Sequence, residues 1–110
     1  MNLTTIATQN NVVTLINVFS VAPENQQQLL DLLVHATREV MSKQPGFVSA
    51  SFHRSLDGTR VVNYAQWASK EAFEAMIQNP EARPHMEAAA KLATYDAHLY
   101  EVSSTHESAN

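Results

Sequence analysis

Cysteine is absent from all 110 residues, so disulfides, zinc–thiolate centres and thiol nucleophiles are excluded. Glycine is nearly as scarce. With Gly46 and Gly58 alone, the chain cannot build a phosphate-cradling loop or a dinucleotide-binding fingerprint. No apolar run reaches the roughly 18 residues of a membrane-spanning helix. The segment from Met1 to Asn11 has neither a basic region nor a long apolar run, so no signal peptide is expected and a cytoplasmic location is the default. Basic charge is also short. Seven Lys and Arg against eleven Asp and Glu give a net charge of −4, with no electrostatic reason to bind nucleic acid or an anionic membrane. The five histidines, His35, His53, His85, His98 and His106, show no H-x-H or H-x-x-x-H spacing, and no metal site is expected.

What is present fits one globular domain. The chain is 45% hydrophobic and 16% charged, which argues against disorder, and its length suffices to bury roughly two-thirds of the surface of the unfolded chain. The most informative stretch is Arg60-Val-Val-Asn-Tyr-Ala-Gln-Trp67, rich in β-branched and aromatic residues and preceded by an Asp57-Gly58 turn signal. As a strand it puts Val61, Asn63, Ala65 and Trp67 on one face and Val62, Tyr64 and Gln66 on the other. An amide and an indole N–H are thereby aligned on an otherwise apolar wall.

The rest of the chain arranges itself around that strand. Residues 1–10 are polar and aperiodic, expected to form a loose arm. Val12 to Val21 reads as a strand apolar on both faces. Pro23 and Glu24 suit a helix start, and a stripe from Leu29 through Leu33, Thr37 and Met41 carries that helix to about Lys43, where Pro45-Gly46 stops it. Phe47 to Ser55 is a second strand, hairpinned onto the third. Ser69 begins a second helix that Asn79-Pro80 and Pro84 break, its later half running from about Pro84 to Leu92. Tyr95 to Val102 is the last strand, and the polar segment 103–110 is expected to be a disordered tail. The order β-α-β-β-α-β predicts a ferredoxin-like α+β fold, a four-stranded antiparallel sheet with the helices on one face. The other face retains apolar side chains, and a sheet-on-sheet homodimer is expected to cover them.

With these elements placed, the chain resembles the antibiotic biosynthesis monooxygenase family of dimeric α+β barrels over residues 11–102. The resemblance is carried by Asn17 in LINVFSV, Pro23, Pro45-Gly46-Phe47 and above all DGTRVVNYAQWASKEAF, which is similar to the anthrone and quinol oxygenases of aromatic polyketide pathways. It implies a monooxygenase without metal, flavin or haem, in which a small aromatic phenol, quinol or anthrone supplies the electrons for O2 and leaves as a quinone. The catalytic residues it implies are Asn63, Trp67 and His53. Asn17, Phe73, Met76 and Met86 are implied as substrate-binding. A family tyrosine of helix two corresponds to Phe73, a departure that removes a hydroxyl, and Arg83 is the one candidate for a family arginine. Asn17 also stands where haem-degrading members keep an asparagine, but Met76 and Met86 occupy the places of their axial histidine and tryptophan.

The family is functionally mixed, so a second reading stands beside the enzyme: a non-catalytic or stress-related dimeric barrel that binds a small apolar ligand. His53 depends on hairpin register. A two-residue Asp57-Gly58 loop pairs Leu56 with Thr59 and sets Phe52 opposite Asn63, turning His53 to the other face. A three-residue loop with a bulge sets His53 opposite Asn63. Tyr64, His98 and Tyr100 are expected at the dimer interface.

Overall fold

The computed structural model describes residues 3–109; Met1 and Asn2 of the expected arm and Asn110 of the expected tail lie outside them. Four strands form one antiparallel sheet: β1 (Val13–Val21), β2 (Phe47–Arg54), β3 (Arg60–Trp67) and β4 (Ala93–Tyr100), in the spatial order β2-β3-β1-β4. This is the ferredoxin-like α+β arrangement expected from the element order. Three helices, α1 (Gln26–Glu39), α2 (Lys70–Gln78) and α3 (Arg83–Leu92), pack on one face. Among the described residues no helix is long and apolar enough to cross a membrane.

Local chemistry explains the element ends. Pro23 opens a single 3-10 turn before α1, and a second such turn, Met41–Lys43, ends the first helical segment. The helix expected to run unbroken to Lys43 therefore tightens at Val40, whose backbone has left helical geometry. Ser69 caps α2, its hydroxyl accepting the Ala72 N–H at 3.1 Å. Asn79 closes α2 in extended conformation, and Pro84 lies in the first turn of α3. The break at 79–82 is tied down, because Asn79 Nδ2 donates to Gln44 Oε1 at 2.8 Å and links the end of α2 to the end of the first helical segment. Strand β4 begins and ends two residues earlier than expected. Ala93 pairs with Val21 immediately after α3, and pairing with β1 ends at Thr14 opposite Tyr100.

The arm is less loose than its composition implies. The Thr5 carbonyl accepts Gln66 Nε2 at 2.7 Å and Asn10 Nδ2 at 3.0 Å, laying this segment over the outer face of the sheet. Gln66 is buried there and accepts from Ser49 Oγ at 2.8 Å.

The β2–β3 turn is fixed by one carboxylate. Asp57 accepts from Thr59 Oγ1 at 2.7 Å, Ser55 Oγ at 2.8 Å and the Thr59 N–H at 3.0 Å. These bonds, the Thr59 hydroxyl's first, hold its carboxyl down from 3.8 to about 2. Gly58 takes a φ of +81°, and Ser55 Oγ accepts the Arg60 N–H.

At the other end of β2, Gly46 (φ +86°) pins the strand to α2. A Cβ there would lie 2.5 Å from that of Ala72, and its carbonyl accepts the Ala68 N–H at 2.7 Å. Gly46→Ala is therefore expected to cost about 1–3 kcal/mol. A thermal melt should show a fall of several degrees; an unchanged midpoint would mean that α2 yields without penalty.

Candidate active site

The register of the sheet decides what the site contains. Asn17 on β1 lies directly opposite Asn63 on β3; Phe52 flanks Asn63 on β2, and Ala97 flanks Asn17 on β4. The row Phe52-Asn63-Asn17-Ala97 thus crosses the whole inner face of the sheet. It separates two hydrophobic clusters. One gathers Leu15, Ala65, Trp67 and Met76; the other gathers Phe19, Val61, Leu29 and Ala89. Two amides on the central strands prevent the clusters from merging, and the small side chains of Ala36, Ala50, Ala65, Ala89 and Ala97 leave room beside them. The result is a cavity of about 270 Å³ between sheet and helices.

Its two walls differ in chemistry. The sheet wall carries Asn17, Asn63 and Trp67. The helical wall offers Leu33, Met41, Phe73, Met76, Ile77 and Met86, with Thr37 as its one polar side chain. Trp67 is 2% exposed and held edge-on by Phe47, at a centroid distance of 5.4 Å, and by Phe73 at 6.0 Å. The Asn17 Oδ1, Asn63 Oδ1 and Trp67 Nε1 atoms are buried without any hydrogen-bond partner among the described residues. Each such group costs about 1–3 kcal/mol when nothing pairs with it. Three of them lining one apolar cavity are the mark of a small-molecule site with a polar edge to read.

Of the residues singled out from sequence, Asn17, Asn63, Trp67, Phe73, Met76 and Met86 all line this cavity. His53 does not, and here the expectation is corrected. The hairpin adopts the two-residue register, with Phe52 opposite Asn63 and His53 opposite Val62. His53 is exposed on the outer face, where its Nε2 lies 3.0 Å from Ser51 Oγ. A bulge does occur in β2, but at its start, between Phe47 and Ser49, so that Phe47 rather than Val48 faces Trp67. Arg83 is exposed at the start of α3 and does not line the cavity. Among the described residues no histidine lines it either.

Two polar lining residues were missed. Thr37 was read only as part of a helical stripe, and Tyr95 only as one member of a strand face. The alternation of β4 placed Tyr95 with Ala97 and Leu99; what sequence lacked was the pairing that sets this face over the cavity.

Fold and site together define a ferredoxin-like α+β protein with a mostly apolar, neutral cavity for a small molecule. The profile described as antibiotic biosynthesis monooxygenase matches residues 12–91, and the chain belongs to that family. It is 49% identical over 85 residues to the tetracenomycin-F1 monooxygenase of Streptomyces glaucescens, covering 77% of this chain and 76% of that one. Among solved structures it is similar to the monooxygenase from the gene ActVA-Orf6 of Streptomyces coelicolor in complex with nanaomycin D. That match has a TM-score of 0.80 and 29% identity, over 93% of this chain and 98% of the other. It is also similar to SnoaB, a cofactor-independent oxygenase from Streptomyces nogalater, with a TM-score of 0.73 and 28% identity over 87% and 97% of the two chains.

Proposed function

We propose that this protein is a cofactor-independent monooxygenase that converts a planar phenol, quinol or anthrone of an aromatic polyketide series to the corresponding quinone with O2. The observation that carries this reading is the set of unpaired neutral polar groups, Asn17, Asn63 and Trp67, on one wall of an apolar cavity. The relatives named above, a tetracenomycin-F1 monooxygenase and a cofactor-independent oxygenase among them, support the chemistry and the substrate class.

The reaction balances without an added reductant. A ring CH2 flanked by a carbonyl system loses one proton, its carbanion passes an electron to O2, and the radical pair collapses to a carbon-bound peroxide. Loss of the second proton from that carbon with cleavage of the O–O bond leaves C=O and water. In this scheme the protein holds the ring system flat between the methionine-rich helical wall and the sheet. The unpaired indole N–H of Trp67 donates to the enolate oxygen as charge develops on it, and the Asn17 and Asn63 amides, whose oxygens are unpaired, turn to present their N–H groups to the same anion. Neutral donors suit the step, since they stabilise the anion without fixing a full counter-charge in a low-dielectric site.

A second copy of the chain against the outer sheet face completes the reading. Ile16, Val18, Val62 and Tyr64 are half-buried on that face, and Tyr100 stays exposed beside them. Light scattering on the purified protein should give twice the chain mass.

The test of function is oxygen uptake by metal-stripped protein offered dithranol and a panel of quinols, measured against uncatalysed autoxidation. Uptake above background that survives chelator, with quinone appearing in step, is the expected result. No uptake across the panel would overturn the oxygenase and leave a ligand-binding barrel.

A further inference from the structure

The oxygenation scheme moves two protons off carbon and delivers protons to oxygen, yet the side chains that line the cavity are almost all unable to exchange one. No Asp, Glu, His, Lys or Arg is among them. The amides, the indole and the Thr37 hydroxyl are donors or acceptors that do not titrate in the working range. Tyr95 alone among the lining residues carries an ionisable group.

Its placement suits proton transfer. Tyr95 stands on the edge strand β4 directly opposite Phe19, one inward-facing step along the strand from Ala97, the neighbour of Asn17. On one face of a sheet, such a diagonal neighbour lies roughly 7–8 Å away between backbones, within the reach of an aromatic side chain. The ring is held against Phe19, with centroids 5.8 Å apart and planes tilted by 48°. Phe19 is 5% exposed and Tyr95 55% exposed, so the ring rests on the core while the residue stays open to solvent. A proton relay needs that combination: a fixed group touching the cavity and an outlet to water. Among the described residues the hydroxyl has no hydrogen-bond partner that would compete for it.

We infer that Tyr95 is the proton-transfer residue of this site, a role that rests on the oxygenase reading above. Its phenol donates a proton to the terminal oxygen of the carbon-bound peroxide, giving a hydroperoxide and the Tyr95 phenolate. The phenolate then removes the remaining proton from the oxidised carbon as the O–O bond breaks. Hydroxide leaves and takes up the proton released to water in the first deprotonation, and the Tyr95 hydroxyl is restored. The sum is CH2 + O2 giving C=O + H2O, with no other oxidant or reductant.

The test compares wild type, Tyr95→Phe and Tyr95→Leu in single-turnover oxygenation of dithranol, in H2O and in D2O. Tyr95→Phe keeps the ring and its contact with Phe19; it should slow turnover about a hundredfold, leave the KM within about twofold, and change the solvent isotope effect. Tyr95→Leu should be slowed to a similar degree. A Tyr95→Phe protein with wild-type rate and isotope effect overturns the inference. So does a defect confined to Tyr95→Leu, which would assign the residue to packing alone. The wild type serves as the control that separates the two claims: active wild type with unaffected Tyr95→Phe refutes the relay only, whereas inactive wild type refutes the oxygenase and the relay together.

Discussion

Asn63→Ala is expected to lower kcat/KM for oxygenation about a hundredfold while leaving the melting temperature unchanged or slightly raised. The two halves of this expectation have one cause. Asn63 Oδ1 is buried and bonded to nothing among the described residues, so truncation removes a desolvation cost rather than a native hydrogen bond. The space left behind joins a cavity that already exists, which limits the packing loss. An amide kept in this position against its own stability cost is the pattern of a residue held for chemistry. Steady-state kinetics together with a thermal melt decide the matter. A fall of several degrees with activity intact would make Asn63 a structural residue and remove it from the site.

Trp67 is expected to separate structure from chemistry in the opposite way. Trp67→Ala should cost about 3–5 kcal/mol, because the side chain is among the largest fully buried ones and braces Phe47, Phe73 and the cluster around Leu15. A domain of this size holds on the order of 5–15 kcal/mol in total, so the variant should melt far below the wild type or fail to fold. Trp67→Phe keeps an aromatic body in the slot and deletes the unpaired Nε1 donor. It should remain folded and lose oxygenation by about tenfold or more. Denaturant unfolding of both variants, followed by oxygen uptake for the Phe variant, tests the pair. A fully active Trp67→Phe protein would confine Trp67 to packing.

The parts of this architecture that sequence revealed are those fixed by neighbours in the chain. Alternation in VVNYAQW placed Asn63 and Trp67 on one face, and Pro23, Ser69 and Pro84 marked helix starts that the structure bears out. The position of His53 was not legible, because two hairpin registers share the same Asp57-Gly58 signal. The choice between them is made by side-chain bonds to the turn, Asp57 with Ser55 and Thr59, and Ser55 Oγ with the Arg60 N–H. The bulge lies at the far end of β2, where it brings Phe47 rather than Val48 inward, and Val48 is left 48% exposed. Tyr95 and Thr37 were hidden for a different reason. Each lies on an unremarkable stripe, and only the pairing of β4 with β1 and the packing of α1 over the sheet turn them toward a shared space. Non-local contacts of this kind leave no periodic trace.

The unequal walls of the cavity have a consequence for how such a protein diversifies. Asn17, Asn63 and Trp67 stand on β1 and β3, the two inner strands, whose ladders are satisfied on both sides and cannot shift without breaking the sheet. Met41 opens the second 3-10 turn, Met76 and Met86 lie on α2 and α3 either side of the 79–82 break, and their unbranched thioethers adjust to differently shaped neighbours. Under the proposed function, shape selection and reactivity therefore rest on separate parts of the chain. In the proposed oxygenase, exchange along the helix break would retune which ring system is accepted, and the two central strands would keep the chemistry unchanged from one substrate to the next.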